Sequence, residues 1–577
     1  RAASMCEHRH MNTSSRRAHG SLALLAALSF LVSLIARPVS AGEAAVATSE
    51  RHATETAVAV LSAGGNAVDA AVATAFVLAV TYPEAGNIGG GGFATLTRGG
   101  EARFLDFRET APRAATRDMY LDANGKVVPD SSLVGHRAAG VPGTVAGLWE
   151  LHRQHGSKPW RELLQPAIRL AREGFVPPPQ LIARTTEKAR SVKDRTNFAV
   201  HFGALAADKP FVQADLARTL ERIATRGPNG FYRGETAKLV AAEMRRGGGL
   251  ITENDLRDYK PVWRAPLRTT WRKYELVTAP PPSSGGIALV QLLRMKDALA
   301  PRFEGIAHNS GQYVHLVAEM EKRVFADRAQ YLGDPDFVKV PVDRLTDPQY
   351  LARRASEVDP GGISKLTNIR PGLPESLETT HFAIVDGAGD AVAITYTLNG
   401  SFGNAVVVEG AGFLLNNEMD DFSIKPGEQN FYGVVGGSAN EIAPGKRMLS
   451  SMTPTILLQD GKVHMVIGTP GGSTIFTSVF QGIVNVEDFG MTPLQAVGAA
   501  RFHHQLLPPT RIVYSRCCSL PEAALAELRS RGYDMVRNPW EFGDLQLIRY
   551  DASGKAEAAS DPRGRGTSQV ISLPARK

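Results

Sequence analysis

The sequence predicts an α+β protein, and two observations carry that class. From Gly42 to about Asp359 the texture is mainly helical with Gly-rich and Pro-rich connections, whereas after Thr379 short alternating strands dominate. With 577 residues, 43% of them hydrophobic, the chain is long enough for one large layered domain or more than one core. If the strands of both parts share one sandwich, the boundary near Thr379 is a processing point and not a linker.

The elements follow in order. Arg16 and Arg17 precede the apolar run SLALLAALSFLVSLIA (Ser21–Ala36), and VSA ending at Ala41 supplies small residues for cleavage. Residues 1–41 therefore read as a signal peptide and the protein as exported, periplasmic or secreted. An uncleaved anchor is the alternative. GGNAVDAAVATAFVLAV (Gly64–Val80) is apolar on nearly all sides, as a helix buried between layers should be. ITENDLRDY offers Thr252 as an N-cap with Asp255 three residues on. PPPSSGGIALVQLL turns from a loop into a helix, and YVHLVAEMEKRVFADRAQYLGDP is helical up to a stop at Gly333 and Pro335. Beyond Thr379, HFAIVD, AVAITYTL, MVIG and QLIRYDASGKAEAAS read as strands, and TIFTSVFQGIVNVEDF and LPEAALAELRSRG as helices.

Composition narrows the function. The net charge of +7 comes from basic residues interleaved with acidic ones, which describes a solvated surface and excludes a nucleic-acid footprint. Only Cys6, Cys517 and Cys518 are present, so no disulfide framework or Cys-rich metal site is possible. Cys517 and Cys518 read as an ordinary buried or half-buried pair in a strand.

LETTHFAIVDGAGDAVAITYTLNGSFG holds the most specific geometry. Gly387-Ala388-Gly389 forms a short turn, and pairing Asp386 with Asp390 places Thr379 opposite Thr397, with Thr395, Thr397 and Asn399 on one face. Thr379-Thr380-His381 then has two readings. One is a β-branched strand edge. The other is a threonine freed by a cut before Thr379, whose own α-amine titrates near neutrality and serves as base for its hydroxyl.

The company this segment keeps favours the second. YPEAGNIGGGGFATL, LDFRETAP and GVPGTVAGL precede it, and LLNNEMDDFSIKPG, KRMLSSMTPT, GTPGGSTIF and ARFHHQ follow in that order. From about Ala45 to Ser560 the chain closely resembles the gamma-glutamyltranspeptidase family of N-terminal-nucleophile hydrolases. The resemblance implies a four-layer αββα sandwich built jointly by a large subunit, 42–378, and a small catalytic subunit, 379–577, produced by self-cleavage between Glu378 and Thr379. It implies Thr379 as nucleophile, Thr397 as the hydroxyl beside it, and Gly471 and Gly472 as backbone donors to the oxyanion. Arg108, with Ser450 and Ser451, would take the substrate α-carboxylate. Asn399, Glu418 and Asp421 would take the α-ammonium. Ser423–Gly437 resembles a lid carrying Tyr432 at the gate. The implied substrates are glutathione and other γ-glutamyl compounds, with water, amino acids or dipeptides as acceptors, and no cofactor or metal is required.

Further motifs are read from the residues around them. NIGGGGF lacks the Lys-Ser/Thr and strand–helix context of a phosphate loop. His503 and His504 lack partners at ligand spacing and read as structural, as does His381. Ala383 stands where many relatives carry Ser, and Asn87 is shared with only some of them. Two alternatives remain: a related glutaryl or cephalosporin acylase, against which Asp421 argues, and an unprocessed, non-enzymatic exported binding protein.

Overall fold

The computed structural model describes residues 42–364, 379–427, 436–539 and 543–573, all within one unit spanning Gly42–Leu573. Ahead of Thr379 lie strands β1 (Glu43–Thr48), β2 (Gly91–Arg98), β3 (Glu101–Asp106), β4 (Val262–Arg264), β5 (Leu267–Trp271) and β6 (Tyr274–Thr278). After it come β7 (Thr380–Val385), β8 (Ala391–Thr397), β9 (Thr455–Gln459), β10 (Lys462–Gly468), β11 (Phe502–His503), β12 (Arg511–Tyr514), β13 (Asp534–Arg537), β14 (Gln546–Tyr550), β15 (Ala556–Ser560) and β16 (Thr567–Ser572).

Both large sheets draw strands from both sides of Thr379. The seven-stranded sheet runs β16-β1-β7-β8-β2-β3-β4, and the six-stranded sheet β15-β14-β10-β9-β6-β5. The β7–β8 hairpin is inserted between β1 and β2, so the segment beginning at Thr379 occupies the middle of a sheet.

Period-two alternation sorts side chains between layers. In β1, Ala45 and Ala47 face a small-residue layer shared with Ala383, Val385, Ala391 and Ala393 of the first sheet and Val277, Ile456, Val466 and Ile548 of the second. Ala44 and Val46 face the other way, into a core with Phe382, Ile384 and the first set of helices. Leu276, Leu457, Met465 and Leu547 point from the second sheet toward the helices Gly285–Ala298, Gly311–Tyr331 and Thr474–Glu487. The result is helix, sheet, sheet, helix.

Local chemistry sets the element ends. Every residue of the helix Ala67–Thr81 is buried, as its all-round apolarity requires. It starts three residues later than the sequence suggests, because Gly64 takes φ +79° and Asn66 caps the helix in a box with Asp69. Thr252 and Asp255 form the expected capping box, worth about 1 kcal/mol. The first half is mainly helical, as the sequence suggests, and it also supplies β1–β6. One sequence expectation needs correction. Cys517 and Cys518 lie beyond the end of β12, with Cys517 exposed and Cys518 half-buried, and no disulfide forms among the described residues.

Candidate active site

The hairpin has the predicted register. Val385 pairs with Ala391 and Thr380 with Tyr396, the Asp386 N–H donates to the Asp390 carbonyl (3.0 Å), and Gly389 takes φ +83° in the turn. One residue further out, Thr379 Oγ1 donates to Thr397 Oγ1 at 3.3 Å. Thr397 Oγ1 also accepts the Asn399 N–H at 2.8 Å, and the Asn399 side chain is tied to the Asn417 carbonyl at 2.9 Å. Both hydroxyls are buried at the end of the layer between the sheets.

The glycine-rich stretch before β2 holds this corner from behind. Asn87 Nδ2 donates to the Thr397 carbonyl (2.9 Å), and its Oδ1 accepts from the Gly90 N–H (2.9 Å) and Thr144 Oγ1 (2.7 Å). A Cβ on Gly89 would strike the Leu414 carbonyl, and one on Gly90 the Thr397 carbonyl. These glycines serve backbone approach, which agrees with rejecting a phosphate loop. Asn416 joins three motifs: its Nδ2 donates to the Gly89 and Gly140 carbonyls (2.9 and 2.8 Å), and its Oδ1 accepts from Gly140 and Glu418 N–H.

A pocket of about 340 Å³, solvent at its mouth included, opens beside Thr379. It gathers Thr379, Thr397, Arg108, Asn399, Glu418, Asp421, Ser450, Ser451 and Gly472 from five separate stretches of sequence. Gly471 adjoins it at the start of the helix Thr474–Glu487, with φ +139°, and Gly472 has φ +53°. Glu378 and Tyr432, with most of the expected lid, lie outside the described residues.

The charged wall differs from the simplest sequence reading, in which Arg108 and the acids wait separately for substrate. Here Arg108 is fully buried, and its two terminal nitrogens bond Glu418 and Asp421. Glu109 lies 3.7 Å away, and Arg108 Nε donates to the Met448 carbonyl (3.3 Å). Burial opposes the arginine's charge, but Glu418, Asp421 and Glu109 outweigh it and hold its pKa above the ordinary value. Burial pushes the carboxyls of Glu418 and Asp421 up, against the pull of Arg108. Burial also raises Glu109, to about 8, and neither of its oxygens has a hydrogen-bond partner.

Sequence reasoning missed Arg328, Met452, Ser473 and Ile475, which complete the lining, and Glu109 behind Arg108. The expected structural histidines are all buried. His381 is hydrogen-bonded to Thr395 Oγ1 (2.8 Å) and its ring packs against Gly468; burial lowers its pKa to about 3. His503 contacts Thr477 Oγ1 (3.0 Å) and His504 the Pro509 carbonyl (3.0 Å). Among the described residues no group of three His, Cys, Asp or Glu could hold a metal ion.

Comparison with known proteins gives this geometry its context. The family model described as Gamma-glutamyltranspeptidase matches residues 53–571. A glutathione hydrolase proenzyme of Pseudomonas aeruginosa is 57% identical over 528 residues, covering 91% of this chain and 94% of that protein. The crystal structure of a cephalosporin acylase from Bacillus halodurans is similar at TM-score 0.80 and 27% identity, covering 93% of this chain and 96% of the other. A gamma-glutamyltranspeptidase from Pseudomonas nitroreducens, complexed with L-DON, is 55% identical at TM-score 0.55, covering 56% of this chain and 96% of the other. The chain belongs to the gamma-glutamyltranspeptidase family.

Proposed function

We propose that the chain is an exported precursor that cuts itself between Glu378 and Thr379 and then acts as a γ-glutamyl transferase and glutathione hydrolase. The observation that carries this reading is the Thr379–Thr397 hydroxyl pair at 3.3 Å, in a pocket that holds both arginines and carboxylates.

Self-cleavage begins when Thr379 Oγ attacks the Glu378 carbonyl; the acyl group passes from N to O, and water hydrolyses the ester. The freed α-amine then takes the hydroxyl proton as Oγ attacks the γ-amide carbon of the donor. Backbone N–H groups of Gly471 and Gly472, which precede the helix Thr474–Glu487 at its positive end, would donate to the developing oxyanion. Collapse expels the amine, which for glutathione is cysteinylglycine, with the proton returned from the Thr379 ammonium. Water, an amino acid or a dipeptide then resolves the γ-glutamyl ester. Arg108, Ser450 and Ser451 receive the donor α-carboxylate, and Asn399, Glu418 and Asp421 its ammonium. Arg108 must then share its fork between substrate and the acids it holds.

Similarity to a cephalosporin acylase supports a second reading, acylase action on a glutaryl side chain. Such a group has no α-ammonium, so Glu418 and Asp421 would be left without a substrate partner. The deciding experiment is intact mass and N-terminal sequencing of purified protein, followed by assay with γ-glutamyl and glutaryl anilides. A smaller chain beginning Thr379-Thr380-His381 and preference for the γ-glutamyl donor are expected, and Thr379→Ala should stay uncut and inactive. An uncut wild-type chain, or a preference for glutaryl donors, would overturn the proposal.

A further inference from the structure

Arg328 projects into the pocket from the helix Gly311–Tyr331 and is almost wholly buried. Its Nε donates to Ser284 Oγ at 3.0 Å and its Nη2 to Ser451 Oγ at 3.3 Å. Ser284 in turn grips the neighbouring serine loop: its Oγ and its N–H both donate to the Ser450 carbonyl at 2.7 Å. Ser283 Oγ donates to the Met452 carbonyl at 2.6 Å, and the Ser450 N–H to the Pro282 carbonyl at 2.9 Å. The PPPSSGG stretch, which the sequence shows only as a loop entering a helix, is therefore a clamp on Ser450–Met452.

Formal charge gives Arg328 a second task. The titratable groups lining the pocket are Arg108, Arg328, Glu418 and Asp421. Arg108 is bonded directly to both acids, so without Arg328 a substrate carboxylate would enter a wall of one cation and two anions. Arg328 brings the lining to two formal cations against two formal anions, with the Glu109 carboxyl behind Arg108, which suits a zwitterion carrying one carboxylate and one ammonium. Like charges brought together in a buried site repel strongly, so this balance bears on which acyl groups can enter.

We propose that Arg328 is a specificity-determining residue of the donor site, which supplies the cation that admits the α-carboxylate and fixes the Ser451 hydroxyl that shares in binding it. This rests on the proposed γ-glutamyl reading. Its substrate class is an acyl donor bearing a carboxylate at the carbon that also carries the ammonium, and Arg108 alone does not select it.

The test uses the processed enzyme with three anilide donors: γ-glutamyl, with both charged groups; 4-aminobutanoyl, with the ammonium only; and glutaryl, with the carboxylate only. Arg328→Met should raise KM for the γ-glutamyl donor at least tenfold while kcat falls less than threefold. KM for the 4-aminobutanoyl donor should stay within twofold or fall. Arg328→Lys, which keeps the charge and loses the forked contact, should recover at least a third of the lost kcat/KM. Ser284→Ala should show a smaller shift of the same kind. If Arg328→Met depresses all donors equally, or leaves the γ-glutamyl to 4-aminobutanoyl ratio unchanged, the proposal is overturned. Should Arg328→Met fail to fold or process, the same ratio measured on Arg328→Lys and Ser284→Ala decides it. Wild-type enzyme inactive on the γ-glutamyl donor would sink the functional reading, whereas active wild type with an unshifted ratio would sink only the role of Arg328.

Discussion

Thr397→Val isolates the hydroxyl next to the proposed nucleophile, because the two side chains have nearly the same shape and differ in hydrogen bonding. Thr397 Oγ1 accepts from Thr379 Oγ1 at 3.3 Å and from the Asn399 N–H at 2.8 Å, all within buried surroundings. Losing the first bond costs about 0.5–1.5 kcal/mol, and leaving the Asn399 N–H without an acceptor about 1–3 kcal/mol. About 1–3 kcal/mol of this is expected to appear in the barrier for attack by Thr379, a slowing of roughly 5- to 150-fold. The variant should remain folded by circular dichroism, with the half-time of precursor cleavage followed by intact mass and acylation by the burst of released aniline. Thr397→Ser keeps both hydrogen bonds and should process and acylate within about threefold of wild type by the same argument. Cleavage and acylation by Thr397→Val within twofold of wild type would refute the claim that this hydroxyl orients the nucleophile.

Other perturbations test the surrounding structure. Gly468→Ala would drive a Cβ into the His381 ring, which is pinned by Thr395, so the urea midpoint should drop by an amount equivalent to about 1–3 kcal/mol or more and cleavage should slow with it. Arg108→Ala strands Glu418 and Asp421 without their cation, and loss of one partner of a buried pair costs about 3–5 kcal/mol. Both stability and donor binding should suffer, and Arg108→Ala combined with Glu418→Gln should regain part of the stability in urea denaturation. Burial lowers His381 and His504 to about 3 and His503 to about 4, so each stays neutral in the fold while the unfolded chain takes a proton near pH 6.5. The unfolded state then binds more protons, and stability should fall as pH drops from about 6.5 toward 4, by up to about 1.4 kcal/mol per pH unit for each histidine. His504→Gln should reduce the slope of unfolding free energy against pH by about one proton in this window; an unchanged slope would count against it.

What the sequence disclosed depends on how local each feature is. The register of Thr379 against Thr397 was readable because a short Gly-containing turn and period-two alternation determine it within about twenty residues. The strands of the first half were not. β1 is EAAVAT, whose alanines favour helix, and its role as a strand comes from pairing with β7 and β16, more than three hundred residues away. Arg328 was hidden for a related reason. In EKRVFADRAQYL it is one basic residue among several at helical spacing, and only contact with Ser284 and Ser451, 44 and 123 positions distant, sets it apart. The hold of Glu418 and Asp421 on Arg108 was likewise invisible, since residue types give charge but not who already holds it.

The same non-local pairing bears on why a cut before Thr379 would be compatible with a working enzyme. β7 is bracketed by β1 from one side of the cut and β8 from the other, and Ser49 Oγ donates to the His381 carbonyl at 3.1 Å. Breaking one peptide bond removes none of these contacts. Separating the pieces would divide both sheets and expose the alanine-rich layer between them along with the outer cores. A new chain terminus at an ordinary surface loop frays, but one at the head of a central strand is held by neighbours on both sides. The α-amine of Thr379 would therefore inherit a position set by strand pairing, close enough to its own Oγ to serve as base. Fold and chemistry meet at that residue because the hairpin that aligns two threonines is also the one that stitches the two halves together.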